Sequence, residues 1–441
     1  MAQAGKSQHD ELAGAVQSRV ATRTKLYLFL LVLSLPIDYF APTGSILREG
    51  GAKPAIPLMV LGSAWIYSRH WPELFFNCPR LWRTLLLICI AITFLSTFAF
   101  IANVGLDISY WDGARSPWGQ FLFQGALFVL VAPVLIAHAW LFSRPEVRSS
   151  FFRAFPPAVI IHLAVILAEW VGLLHATSFP LTLFRGTFVV YGRKPTGMMT
   201  EPSYVGTFAA TYGLALLLCM PVKRWRDRLL ALMSIVIALA MGGKTMVPAL
   251  VAGLVAYAYQ TRVKILNWKS VAAVACVGIV GLYTVLTYSV LDVQANLSSA
   301  MRIGSTLLAF NAAASGYGLL GLGFGQFHFV YLPRFAPTFL TYVPEATAFF
   351  SHWMNARAST YNLPVRYLVE DGVVGLLLFV AMVWLVVRNG RSFNDLWHQL
   401  GAVLTGTSLG FLLTQDNYFF PAFVCGAAIL ASRPLRSRGE V

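Results

Sequence analysis

Long apolar runs follow one another along almost the whole chain and limit what it can fold into. The runs are bounded by proline, glycine or charged residues, and many approach the roughly 20 residues that a helix needs to cross the hydrocarbon layer of a membrane. Only 12% of the 441 residues are charged, whereas water-soluble domains carry about 25%. The sequence therefore predicts an all-α, polytopic membrane protein with about 12 transmembrane helices.

The predicted spans divide the chain into one membrane domain with a tail at each end. They lie near residues 25–41, 54–68, 83–104, 119–142, 154–176, 200–220, 228–241, 247–260, 270–290, 366–387, 399–414 and 418–431. Residues 1–24 and 432–441 are the tails, residues 25–290 hold the first nine spans, and residues 366–431 hold the last three.

Residues 291–365 form one long connection between the ninth and tenth predicted spans. A connection of this length usually carries function or its own secondary structure. Its many aromatic residues, among them Phe324, Phe327 and Phe329, indicate amphipathic helices that lie in the membrane interface. We predict that this large helical loop covers the active site.

Basic residues collect in every second connection between the predicted spans. The clusters are Arg69, Arg80 and Arg83; Arg144, Arg148 and Arg153; Lys223, Arg224, Arg226 and Arg228; Arg262, Lys264 and Lys269; Arg388 and Arg391; and Arg433, Arg436 and Arg438. Cytoplasmic connections carry an excess of Lys and Arg, so both termini are predicted to be cytoplasmic and the long loop to lie outside. The net charge of +15 follows from this topology. It does not indicate nucleic-acid binding, which needs a basic face on a folded soluble domain.

Residues 361–379, YNLPVRYLVEDGVVGLLLF, bring charged residues into the start of an apolar run. Charged groups are costly near hydrocarbon and persist mainly where they face a cavity or bind a ligand. Arg366, Glu370 and Asp371 are therefore candidate site residues. The alternative is that they are ordinary anchors at the membrane interface.

Few basic residues fall on the predicted outer side. They are Arg48, Lys53, Arg115, Arg185, Arg193, Lys194, Lys244, Arg302, Arg334, Arg357 and Arg366. Such cations match the oxygens of a lipid diphosphate and stabilise the charge on a diphosphate leaving group, although pairing with acidic side chains or lipid headgroups is the alternative. Lys244 is the strongest candidate for binding an anion, because its GGKT turn lies between two apolar spans where an unpaired ammonium group would be costly.

Other polar residues are weaker candidates. Glu201 begins the sixth span before Pro202, where it caps the helix, orients a sugar hydroxyl or pairs with an outer arginine such as Arg185. His352 is a candidate base in the outer loop or else a solvated residue, whereas His138 and His162 lie within apolar spans and are interpreted as hydrogen-bonded core residues. The chain has no HExxH motif and no carboxylate-rich metal motif, so we predict a metal-independent reaction.

Four blocks of the sequence resemble, in this order, blocks of the O-antigen ligase and polymerase superfamily. They are GMMTEPSYVGTF, GGKTMVPALVAGLVA, GLLGLGFGQF and YNLPVRYLVEDGVVGLLLF. The resemblance implies a glycosyltransferase in the bacterial inner membrane that acts on undecaprenyl-diphosphate-linked glycans at the periplasmic side. It also implies that the enzyme uses no nucleotide-sugar as donor, and we predict that it needs no cofactor.

The fourth block departs from the family pattern at one position. Family members commonly have a histidine directly before the asparagine of this block. Aligning Glu370, Asp371 and Gly372 with the end of the family motif puts Asn362 at the asparagine and Tyr361 at the histidine. Because the lipid A-core ligases are most closely tied to that histidine, its replacement favours a polymerase of O-antigen or exopolysaccharide repeats over a ligase.

The resemblance and the candidate residues above together lead to a hypothesis about the roles of individual residues and about partners. The residues expected to bind the diphosphate or sugar are Lys244, Arg185, Arg366, Asn362, Arg357 and Glu370. The residues expected to take part in catalysis are Tyr361, His352 and Glu201. The partners would be the lipid-linked glycan, an acceptor glycan or lipid A-core, membrane lipid and a chain-length regulator. A polysaccharide transporter or flippase is the alternative of another class, although transporters usually place their polar sites near the midplane of the membrane.

Overall fold

The computed structural model describes residues 22–43, 53–76, 78–105, 116–175, 179, 181–185, 195–200, 202–221, 225–241, 245–262, 305–306, 308–327, 329, 360–415 and 417–433. Regular structure in these residues is helical, and none of them lies in a β-strand. The prediction of an all-α fold is confirmed for this part of the chain. The predicted span at 270–290 and most of the predicted loop at 291–365 lie outside it.

The helices follow the apolar runs of the sequence. In chain order they are α1 (22–34), α2 (Ala55–Phe76), α3 (Arg80–Phe100), α4 (Pro117–Phe142), α5 (Pro145–Trp170), α6 (Pro202–Cys219), α7 (Trp225–Met241), α8 (Met246–Gln260), α9 (Leu363–Glu370), α10 (Gly372–Arg391), α11 (Leu396–Leu412) and α12 (Pro421–Ala431). A single helical turn is formed by Thr182–Arg185, and π-helical turns are formed by Ile101–Gly105 and Ala313–Tyr317. Several helices begin at or next to a proline, whose fixed φ angle suits the first turn.

Four helices of the described residues are long and apolar enough to cross a membrane. They are α3 with its extension to Asn103, α4, α5 and α10, while α6, α8 and α12 are apolar but shorter. Large apolar side chains on their outer faces, such as Phe94 and Leu377, are 72% and 61% exposed. Such faces suit contact with lipid. The number of spans and the sidedness of the chain remain predictions.

Small residues allow α8 and α11 to pack closely. A Cβ atom added to Gly406 would meet the backbone carbonyl of Ala252, and one added to Gly410 would meet that of Pro248. Membrane helices commonly use small residues in this way, because close backbone approach increases van der Waals contact. The packing brings the C-terminal end of α11 beside the N-terminal end of α8.

The helix ends of the described residues fall into two groups. At one end, which we call the basic end, side-chain contacts join Trp82 to Ala431, Gln260 to Gly390, Arg262 to Arg391, and Arg433 to Ser143. Basic residues from several connections, among them Arg262, Arg391 and Arg433, therefore lie at this end. The opposite end, which we call the site end, holds the C-terminal ends of α3 and α11 and the N-terminal ends of α4, α8, α10 and α12.

Two features differ from the prediction. The predicted span at 366–387 is two helices, because Gly372 has a left-handed φ of 72° and separates α9 from α10. Phe324, Phe327 and Phe329 are at most 5% exposed. Their side chains pack inside the protein, so the prediction that these three residues lie in the membrane interface was wrong. Their segment is glycine-rich, and its backbone fits closely between helices.

Candidate active site at the junction of α9 and α10

The glycine-rich segment 316–327 packs against the junction of α9 and α10. The backbone N–H groups of Leu322 and Gly323 donate to the carbonyl oxygen of Glu370, at 3.1 and 2.7 Å. In the other direction, Val373 N donates to Gly318 O at 2.7 Å. The third and fourth blocks of the sequence therefore form one structural unit.

Glycine is required on both sides of this contact. Gly321 has φ of 83° and Gly372 has φ of 72°, values that side chains other than glycine rarely adopt. A Cβ atom on Gly321 would collide with the carbonyl of Glu370, and one on Gly372 would collide with that of Leu319. Glycine at positions 321 and 372 thus allows the two backbones to lie in close contact at the site end.

Four buried side chains at this junction form what we call the carboxylate cluster, Arg366, Glu370, Asp371 and Tyr418. Arg366 Nε lies 2.9 Å from Glu370 Oε2. The hydroxyl of Tyr418 donates to Glu370 Oε2 at 2.8 Å and to Asp371 Oδ2 at 3.1 Å. The backbone N–H of Gly325 also donates to Glu370 Oε2, at 2.8 Å. Because three donors meet at one oxygen, the side chain of Glu370 connects α9, the glycine-rich segment and the turn before α12.

The cluster contains one guanidinium group and two carboxylates. Its side chains come from residues that are at most 7% exposed, and buried like charges are unfavourable unless they are neutralised. Asp371 Oδ1 is buried and has no hydrogen-bond partner among the described residues. The cluster therefore carries an excess of one negative charge when both carboxylates are ionised, and a proton or a cation can neutralise it.

Aromatic rings surround the cluster and exclude water from it. The guanidinium carbon of Arg366 lies 4.1 Å from the centre of the Tyr418 ring, a favourable cation–π arrangement. The Tyr418 ring also lies 5.3 Å from that of Phe324 and 5.2 Å from that of Tyr367. A low local dielectric strengthens the ion pair and the hydrogen bonds inside this shell.

Tyr418 is the residue that sequence reasoning missed. It lies in the short connection QDNYFFP between two apolar runs, and these polar residues at the predicted outer end are the signal that could have identified it. Its partner Glu370 is 48 residues away in the chain, so local spacing gives no indication of their contact.

Several predicted site residues lie at or beside the cluster. Arg366 and Glu370 belong to it and form an ion pair. Pairing with an acidic side chain was the alternative that we gave to diphosphate binding for the predicted outer cations. Asn362 caps α9, since its side-chain oxygen accepts from Val365 N at 3.1 Å, and its amide donates to Leu413 O at 3.1 Å. Tyr361 has a left-handed φ of 49°, which is uncommon for a residue with a side chain and occurs in turns and at functional sites.

The other predicted site residues fall outside the described part of the chain. Glu201, Lys244, His352 and Arg357 are among them. Arg185 ends the turn Thr182–Arg185, and only its backbone is described. The roles expected of these five residues stay predictions.

Residues next to the undescribed candidates lie at the site end. Thr207 Oγ1 in α6 lies 3.1 Å from Thr245 Oγ1, which directly follows Lys244 in the chain. The Tyr204 ring of α6 packs 5.2 Å from that of Phe411 in α11, and Phe411 packs 5.5 Å from Phe420. These contacts join the first and second blocks to the turn that holds Tyr418. Described residues of all four blocks thus lie at the site end, where Phe411 and the turn before α12 connect the first two blocks to the last two.

Another predicted outer cation, Lys53, also lies at the site end. Its Nζ is 5.0 Å from the centre of the Phe420 ring. Phe420 is two residues from Tyr418, so this ammonium group lies near the turn that contributes to the carboxylate cluster.

The two histidines in apolar spans are core residues, as predicted. The hydroxyl of Tyr27 lies 2.5 Å from His138 Nε2, and His138 Nδ1 lies 2.8 Å from Val134 O. His162 Nε2 donates to Leu33 O at 2.8 Å. Both histidines are fully or almost fully buried.

The described residues contain no group of three or more His, Cys, Asp or Glu side chains that could hold a metal ion. The metal-independent reaction stays a prediction. Comparison with known proteins finds no family model that matches the chain and no curated protein that matches it. The resemblance of the four blocks therefore remains a hypothesis.

Proposed function

We propose that the chain is a membrane glycosyltransferase that polymerises undecaprenyl-diphosphate-linked oligosaccharide repeats into O-antigen or exopolysaccharide. The reaction would take place at the periplasmic side of the bacterial inner membrane. The observation that carries the proposal is that described residues of the four blocks, which are separate in the sequence, lie at one end of a bundle of apolar helices. An enzyme acting on a lipid-linked substrate needs such a polar site at the end of its membrane helices.

The proposed reaction transfers the growing glycan from one lipid carrier to the next repeat. The bond between C1 of its reducing sugar and the diphosphate breaks, and an acceptor hydroxyl oxygen forms a new bond to C1. The hydroxyl proton passes to a base, and undecaprenyl diphosphate leaves. Negative charge grows on the leaving diphosphate, so cations beside it lower the barrier. We assign this role to Lys244 and Arg185, with Arg357 as a further cation.

The geometry favours a supporting role for Arg366. Its Nε is paired with Glu370, and the residue is only 7% exposed. The same guanidinium group also lies over the Tyr418 ring, so it fixes α9 against the turn that contains Tyr418 and keeps the site rigid, which catalysis requires. In this scheme Tyr361, at the entrance of α9, or His352 accepts the proton, and Glu201 orients a sugar hydroxyl.

Deleting the gene in the bacterium that carries it separates the polymerase from its alternatives. Loss of long chains, with single repeats left on the carrier lipid, supports a polymerase. Long chains that remain on the carrier lipid indicate a ligase that transfers finished glycan to lipid A-core. Repeats that accumulate at the cytoplasmic side indicate a flippase.

Variants of Lys244 test the assignment of the cation. Lys244→Ala is expected to abolish polymer and leave single repeats on the lipid, whereas Lys244→Arg keeps the charge and is expected to retain polymer. Arg366→Ala is expected to abolish polymer as well, because it leaves the Glu370 carboxylate buried without its cation. Unchanged polymer length in both alanine variants refutes the assigned roles.

A further inference from the structure

We infer that Asp38 is a positioning residue that holds the entrance of α6 at the site end. The inference rests on the proposed function, since it concerns the segment that leads directly into Glu201. It is drawn from the contacts of residues 195–200, which we call the strap. The strap lies immediately before Glu201 and Pro202 in the chain.

Two carboxylates hold the two ends of the strap. Glu169 Oε2 accepts from Thr196 N at 2.9 Å and from Gly197 N at 2.8 Å. At the other end, Asp38 Oδ1 accepts from Thr200 N at 2.9 Å, and the Thr200 hydroxyl donates to Asp38 Oδ2. Each carboxylate thus receives two hydrogen bonds from the strap, and hydrogen bonds to a charged acceptor are stronger than neutral ones.

The strap is fitted closely between α5 and α6. Thr196 is fully buried and Met199 is 2% exposed. Gly197 has φ of 57°, and a Cβ atom at this position would collide with the side chain of Ile166. These features leave the strap little freedom, so the carboxylate at its end determines where the following residue lies.

The segment that contains Asp38 contacts the chain beside two predicted site residues. Thr200, which Asp38 binds, directly precedes Glu201. The Phe40 ring lies 5.5 Å from that of Phe184, which directly precedes Arg185. One short segment after α1 therefore holds the chain next to a predicted carboxylate and next to a predicted cation.

This arrangement can matter for catalysis as well as for stability. A reacting group that is displaced by about 1 Å can lose on the order of a hundredfold in rate. If Glu201 orients a sugar hydroxyl, the Asp38 end of the strap controls the rate. The Glu169 end is farther from Glu201 along the chain and affects only the local stability of the strap.

The experiment compares variants at the two ends of the strap in the full-length protein. Thr200→Val removes the hydroxyl that donates to Asp38 and keeps the backbone N–H, while Thr200→Ser keeps both. Asp38→Ala removes both acceptors, and Glu169→Ala, which also removes its acceptors, is the matched control at the other end. Polymerisation is measured on lipid-linked repeat extracted from cells that lack the protein, and hydrogen–deuterium exchange is measured on the peptide that covers the strap.

We expect Thr200→Val and Asp38→Ala to lower kcat by about tenfold, with a change in KM of no more than about twofold, because the lost interaction acts in the transition state. Thr200→Ser is expected to restore the wild-type kcat. Asp38→Ala is expected to speed exchange of the Thr200 amide. Glu169→Ala is expected to speed exchange of the Thr196 and Gly197 amides and to keep the wild-type kcat.

Each other result overturns the inference. Wild-type kcat in both Thr200→Val and Asp38→Ala shows that Asp38 has no positioning role, even if exchange is faster. Unchanged exchange in Asp38→Ala shows that Asp38 does not hold the strap, and an equal loss of kcat in Glu169→Ala shows a merely structural effect. If the wild-type protein forms no polymer, the proposed function fails, and the inference fails with it.

Discussion

Replacing Tyr418 by phenylalanine tests whether the carboxylate cluster depends on one hydroxyl group. The change removes the donor that lies 2.8 Å from Glu370 Oε2 and 3.1 Å from Asp371 Oδ2. It keeps the ring, which lies beside the guanidinium group of Arg366 at 4.1 Å. The variant therefore separates the hydrogen bond from the packing.

The expected loss follows from the charge of the acceptors. A hydroxyl has one proton, so it makes one strong hydrogen bond to the two carboxylates at a time. A hydrogen bond to a charged group contributes about 1.5–3 kcal/mol, and one to a neutral group about 0.5–1.5 kcal/mol. Tyr418→Phe should lower the free energy of unfolding by about 1.5–3 kcal/mol, because a buried carboxylate loses its donor.

Tyr212→Phe is the matched control. The Tyr212 hydroxyl donates to a neutral acceptor, Val32 O, at 2.8 Å. Tyr212 is 3% exposed and Tyr418 is 5% exposed, so burial does not distinguish the two sites. The measurement is the free energy of unfolding of the purified protein in mixed micelles. If Tyr418→Phe lowers the free energy of unfolding no more than Tyr212→Phe does, the Tyr418 hydroxyl does not stabilise the cluster. The interpretation that it donates to a charged carboxylate is then wrong.

Two further predictions concern the backbone at the site end and the charges at the basic end. Gly372→Ala should destabilise the protein by clearly more than Gly172→Ala. Both glycines have a positive φ, which costs alanine about 1–2 kcal/mol. Of the two, only Gly372 would place the added Cβ atom against a carbonyl group, that of Leu319. An equal drop in unfolding temperature for the two variants would contradict this prediction. Burial raises the pKa of Asp395, but hydrogen bonds from His398 and nearby positive charge outweigh it and hold the pKa below its usual value. A carboxylate with a lowered pKa in the folded state contributes stability at neutral pH that is lost in acid. The wild-type protein should therefore unfold at a higher temperature than Asp395→Asn at pH 7, and the difference should shrink below about pH 4; a difference independent of pH would refute the role of the charge.

The positions of most helices could be predicted from the sequence. The apolar runs at 247–260 and 399–414 correspond closely to α8 and α11, because a run of this kind has few ways to satisfy its backbone other than a helix. The break between α9 and α10 was not predicted. The predicted span ran without interruption through Glu370 and Asp371, whereas in the structure the first helix ends at Glu370 and Gly372 has a left-handed φ.

The candidate site could be predicted only in part. Arg366 and Glu370 were identified because charged residues at the start of an apolar run are unusual. Their contact with Tyr418 depends on packing between elements that are distant in the chain, and periodicity shows which face of a helix is apolar but not which partner it meets. The glycine-rich segment was recognised as unusual, yet the backbone groups that its glycines approach become clear only in the folded structure.

The most direct test of the proposed function uses the purified protein in lipid vesicles supplied with undecaprenyl-diphosphate-linked repeats and no nucleotide-sugar. The length of the glycan is then followed by gel electrophoresis and mass spectrometry. The proposal predicts chains of several repeats on one carrier, with release of free undecaprenyl diphosphate, and their absence in Lys244→Ala. Repeats that stay single with the wild-type protein, while the same vesicles support elongation by a known polymerase, would contradict it.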